Sequence, residues 1–131
     1  MENITNYITE ILILLFIVIT FLQSGIDKIT DWKGNIGWLK GHFSKTFLAG
    51  QVPLMVGIIL IIEVIAGLMA LVGIFYIISS GQTEIALYAH VLAAVTLLML
   101  LFGQRVAKDY AGAFTIVGYF IVVLLGLTML S

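Results

Sequence analysis

Four stretches of about twenty apolar residues take up most of this chain, and they leave it only one class of solvent. They run over residues 5–26, 52–78, 85–103 and 111–130. The first is uncharged from Ile11 to Gly25, and the second has Glu63 as its only charge. The third holds His90 and no formal charge, and the fourth holds neither. A helix needs about 20 apolar residues to cross the hydrocarbon core of a bilayer. At 62% hydrophobic and 10% charged, the chain lies far from the soluble average of about 45–50% apolar and about 25% charged. The expected fold is therefore all-α: an antiparallel four-helix transmembrane bundle forming a single domain over residues 1–131.

Charge orients the bundle. All six basic residues fall in two connections: Lys28, Lys33, Lys40 and Lys45 between the first and second stretches, and Arg105 and Lys108 between the third and fourth. With four spans, alternate connections lie on one side of the membrane, and positive charge is retained on the cytoplasmic side during insertion. Both termini are then expected on the non-cytoplasmic side of a bacterial-type inner membrane. The lipid bilayer is the first partner implied. Nucleic acid is not one, because no basic face is free of the bilayer and no recognition motif occurs. The chain has no cysteine, which removes disulfide and thiolate-metal chemistry.

Between the first two stretches, Ile36, Leu39, Phe43 and Phe47 recur at helical spacing, with Lys33, Lys40 and Lys45 off that stripe. This pattern predicts an interfacial amphipathic helix over residues 33–47, with Trp32 and Trp38 at headgroup level. Gln23-Ser24-Gly25 reads as the stop of the first helix, leaving Asp27 and Lys28 beyond it. Pro53 opens the second span, where a missing N–H costs nothing. Gly57, Gly67, Ala70 and Gly73 line that span, and small residues let helices approach closely in lipid.

Glu63 is the first candidate for chemistry. It lies about 15 Å into its helix at about 1.5 Å per residue, where an ionisable group normally faces the bundle interior with a partner. One reading is a hydrogen bond between helices that serves only as glue. The other is a proton relay, or a polar handle for a quinone-like ligand. His90, placed within about 6 Å of Glu63 in depth by the same count, is the partner the spacing proposes, and Tyr119 can join them. The only other histidine, His42, lies in the cytoplasmic loop, so a bis-His haem site at one bilayer depth is excluded within one chain. No metal set is evident. A second polar cluster, at the cytoplasmic rim, comprises Asp27, Lys28, Asp31, Gln104, Arg105, Lys108 and Asp109. It reads either as an interfacial set of salt bridges, with Lys28 reaching Asp109 or Asp31, or as a site for a headgroup or partner.

Ser24-Gly25-Ile26-Asp27-Lys28, Trp38-Leu39, Glu63-Val64-Ile65-Ala66-Gly67 and Leu71-Val72-Gly73-Ile74 resemble the pattern of the DoxX family of small four-helix membrane proteins. The resemblance spans nearly the whole chain. It implicates Ser24, Gly25, Lys28, Glu63 and Gly67 in bundle architecture. It implies an accessory or anchoring subunit of a larger, quinone-linked redox complex in the membrane, joined to other integral membrane subunits or to itself. Two alternatives remain: a quinone-reactive oxidoreductase subunit using Glu63 and His90, and a small oligomeric proton or ion pathway.

Overall fold

The computed structural model describes residues 2–131, and the described residues are helical with short connections and no strand. Four helices are long and apolar enough to cross a membrane: Ile8–Thr30, Ala49–Ser80, Glu84–Val106 and Tyr110–Leu130. Large side chains such as Leu12, Ile61, Phe75, Phe114 and Ile121 face outward. Exposed apolar surface on this scale marks contact with lipid or with other protein, not with water. The chain is a multi-pass membrane protein.

A short helix α1 (Glu2–Asn6) precedes α2 (Ile8–Ile17). The first span continues from α2 through a π-helical turn (Val18–Leu22) into α3 (Gln23–Thr30) without leaving helical dihedrals. The stop expected at Gln23-Ser24-Gly25 is thus not a stop, and Asp27 and Lys28 are helical residues. The reason lies in the packing. Gly25 is buried against the second span, where an added Cβ would come 2.9 Å from Val64 Cγ2. It allows close approach rather than ending the helix. Asp31, at φ −133°, ends α3 five residues after Ile26.

The loop helix α4 covers Trp32–His42, shorter than the stretch expected from the apolar stripe. Past it, the Ser44 and Thr46 hydroxyls donate to the carbonyls of Gly41 and Phe43. Local bonds of this kind compete with helix continuation. Ile36 and Phe43 are buried with Leu48, Val52 and Val56 in a small apolar cluster. Phe47, the last residue of the stripe, is 73% exposed and meets only the edge of Phe102 among the rings.

A turn of 3-10 helix (Ala49–Gln51) leads into α5 (Val52–Ser80), with Pro53 in its first turn. Gly81 ends α5 in the left-handed conformation, φ 72°, the backbone state glycine adopts without steric cost. Asn3 Nδ2 donates to the Ile78 carbonyl beside this turn, tying the N-terminus to the end of α5. Three residues later α6 (Glu84–Val106) begins. Its small residues Ala86, Ala89 and Ala93 are fully buried, as are Ala66 and Ala70 of α5. Leu14, Ile17 and Phe21 of the first span and Val123 of α7 (Tyr110–Leu130) complete this core. Small side chains dominate the α5–α6 contact because association in lipid depends on close packing, not on hydrophobic transfer. α7 starts at a true cap, with the Gly112 N–H donating to Asp109 Oδ1 at 2.9 Å.

Candidate functional site

The extra residues of first-span helix set the site. Because α3 runs on past Gly25, Lys28 lies one turn beyond Ser24 on the same face, the i, i+4 relation of neighbours on a helix. Lys28 Nζ donates to Ser24 Oγ at 2.7 Å and to Glu63 Oε1 at 3.0 Å, joining residues 35 apart in sequence. The Glu63 side chain is 2% exposed and that of Lys28 16%. Glu63 is therefore paired inside the bundle, but its partner is Lys28. The three residues form a polar clip that fastens α3 to α5. An acid at this depth would be costly alone, and its cation lies on the neighbouring helix.

His90 is elsewhere. It is fully buried on α6, with Nδ1 2.8 Å from the Ala86 carbonyl. Among the described residues its Nε2 has no hydrogen-bond partner, and it faces Gly126 of α7, where an added Cβ would also lie 2.7 Å from His90 Cδ2 and 2.9 Å from Ile13 Cγ2. The residues of α6 at the level of Glu63 are Leu97 and Leu100, seven and ten positions beyond His90. At about 1.5 Å per residue that is an offset of about 10–15 Å along the helix, too far for a direct contact. The dyad of Glu63 and His90 expected from the depth count does not form.

Tyr119 shares a cavity with Glu63. A cavity of about 210 Å³ is lined by Thr20, Phe21, Ser24, Glu63 and Tyr119, closed by Leu97, Leu100 and Ile116. Thr20 and Phe21 belong to the π-helical turn, a distortion that recurs at functional sites. Tyr119 also meets Phe16 edge-on, with centroids 5.7 Å apart. Leu22, the last residue of the same turn, packs on Gly67 so closely that a Cβ there would lie 2.6 Å from its Cγ. Gly67 is thus an architectural residue beside the clip.

A larger cavity of about 630 Å³ adjoins the first, sharing Leu100 and Ile116 with it. Trp38, Phe43, Met55 and Phe102 form much of its wall, and Lys28, Asn35 and Gln104 are its polar residues. This volume falls in the range of about 300–1,000 Å³ typical of small-molecule sites.

The rim residues divide differently from the expected single set. Asp109 caps α7 and lies 3.8 Å from His42 Nε2, which is 3.0 Å from Gln104 Oε1. His42 in turn stacks on Trp38, centroids 4.7 Å apart. Arg105 covers the Tyr110 ring at 5.2 Å, and Lys108 takes the left-handed conformation, φ 60°, that turns the chain into α7. Asp27 and Asp31 contribute their carbonyls to Asn35 Nδ2. Lys28 reaches neither Asp109 nor Asp31 in an ion pair. Among the described residues no group of three or more His, Asp or Glu side chains could hold a metal ion.

The pairing of His42 with Gln104 and Asp109 is not legible in the sequence, because a histidine in a lysine-bearing loop carries no signal of its own. The spacing of Ser24 and Lys28 did carry one, hidden by reading Gly25 as a terminator. Comparison with protein-family models, with curated proteins and with solved structures finds no match.

Proposed function

We propose that this chain is a DoxX-like accessory subunit that anchors or stabilises a larger assembly in a bacterial-type inner membrane, and that it performs no chemistry on its own. The four spans are read as an antiparallel bundle with α4 lying in the cytoplasmic interface and both termini on the opposite side. The observation that carries the non-catalytic reading is the clip. Glu63, the one acid in the interior of α5, is held by Lys28 and Ser24 and joins the first span to the second. A carboxylate held in this way by two side chains of the first span serves architecture. The separation of His90 from Glu63 supports the same reading against the oxidoreductase alternative. The outward faces of α7, with Phe114 81% exposed and Ile121 62%, supply apolar surface for lipid and for neighbouring subunits.

Two measurements test the reading. Reporters active only outside the cytoplasm should work when fused after Ser131 and fail when inserted near Gly41, following the side rule for basic loops; the reverse pattern overturns the orientation. Purification from native membranes in mild detergent, with mass spectrometry of the accompanying chains, should recover other integral membrane proteins in fixed ratio. Recovery of this chain alone, with turnover of a quinone by the isolated protein, overturns the accessory role.

A further inference from the structure

Lys28 has a hydrogen-bonding capacity that the clip does not exhaust. An ammonium group carries three donors, and Lys28 Nζ gives one to Ser24 and one to Glu63. Among the described residues its third takes no hydrogen bond. Lys28 also lines the 630 Å³ cavity, whose walls are otherwise mostly apolar. A residue with a spare donor in the lining of an apolar space calls for an acceptor with an apolar body.

We propose that this cavity binds a neutral amphiphile, its carbonyl oxygen accepting the third Lys28 N–H and its apolar body lying along Trp38, Phe43, Met55 and Phe102. Three observations fix that chemistry. The ion pair with Glu63 leaves no net positive charge at the polar end, and the Glu63 carboxylate, 3.0 Å from Nζ, repels an anionic head. The helix of a partner protein is a poor occupant, because its main-chain carbonyls are already bonded within the helix, whereas a lipid ester or a quinone presents a free carbonyl. Met55 and Met99 lie in the wall, and methionine adapts to irregular apolar shapes, which suits a flexible tail. The shared feature is the neutral carbonyl on an apolar body. Its source is either a glycerolipid ester or a quinone.

Trp38 gives the readout. The chain has two tryptophans, so Trp32→Phe leaves Trp38, in the cavity wall, as the only one. The full chain in dodecyl maltoside is titrated with three probes: a monoacylglycerol with a dibrominated acyl chain, decylubiquinone, and dibromostearate at pH 8 as the anionic comparison. Saturable quenching of Trp38 by a neutral probe is expected, and response to one neutral probe and not the other supports the site and identifies its source. Removing both charges of the clip together with Lys28→Met and Glu63→Met, which avoids stranding either, should weaken binding about tenfold or more, the effect of losing a charge-assisted hydrogen bond. Val95→Phe narrows the cavity at a half-exposed position without touching the clip and should also weaken binding. Quenching by the neutral probes that rises without saturation and is unchanged in both variants overturns the site. Tighter binding of dibromostearate than of the neutral probes overturns the neutral head. Unchanged affinity in the Met/Met variant overturns the role of Lys28.

Discussion

Replacing Gly73 with alanine should destabilise the protein, while the same change at Gly118 should stabilise it slightly. A Cβ added at Gly73 would lie 3.0 Å from Ala86 Cα, 3.1 Å from its N and 3.2 Å from its Cβ. Ordinary carbon–carbon contacts optimise at about 3.5–4.0 Å, so α5 and α6 must separate by a few tenths of an ångström. No rotamer change relieves this, since two of the three atoms are backbone. The cost of overpacking is typically about 1–3 kcal/mol, opposed by about 0.5–1 kcal/mol gained in replacing a helical glycine. A net loss of up to about 2.5 kcal/mol follows for Gly73→Ala. At Gly118 a Cβ would meet nothing within 4 Å, so only the gain remains. Unfolding by SDS in mixed micelles, followed by circular dichroism, measures both. Equal shifts of the same sign would refute the argument that α5 and α6 touch at Gly73.

Three further outcomes follow from the same geometry. Asp109→Ala should cost about 1 kcal/mol by removing the cap of α7, whereas Asp109→Asn should retain most of it; equal losses in SDS titration would contradict the capping role. Gly126→Ala should destabilise by about 1–3 kcal/mol through its clash with His90 and Ile13, and His90→Ala in the same chain should recover part of the loss; no recovery would show that His90 is not what the new methyl group meets. Lys28→Ala should lower the yield of folded protein far more than Lys45→Ala, because Lys45 is exposed and only Lys28 leaves a buried carboxylate unpaired. Equal yields would refute this.

The four spans were legible because length and apolarity suffice to mark a membrane helix, and each appears within a few residues of its expected ends. The site was only half legible. Glu63 and Gly67 stand out as an acid and a small residue in an apolar run, and Tyr119 lines the same cavity as Glu63. Lys28 was assigned to the wrong partners because Gly25 reads locally as a terminator, while the contact that explains it, with Val64, lies in another span. Nothing in Val18-Ile19-Thr20-Phe21-Leu22 announces a π-helical turn. Counting residues inward sets His90 near Glu63 in depth, but the α6 residues level with Glu63 are Leu97 and Leu100, because packing, not residue count, sets how far one span slides along its neighbour. The path of the loop after His42 likewise depends on Ser44 and Thr46 bonding back to the chain, a local competition the apolar stripe does not reveal.

The claim on which the account rests is that Lys28 and Glu63 act as one unit, and a double-mutant cycle measures that directly. Lys28→Met and Glu63→Met are made singly and together, and stability is read from SDS titration. Removing one partner of a buried ion pair costs about 3–5 kcal/mol, while replacing both with apolar residues of similar volume is often near neutral. Because Lys28 keeps 16% of its side chain exposed, about 3 kcal/mol is expected for Glu63→Met and for Lys28→Met alike. The double variant should return to within about 1 kcal/mol of the original protein, a coupling well above the about 0.5 kcal/mol scatter of independent sites. Losses that simply add would contradict the clip.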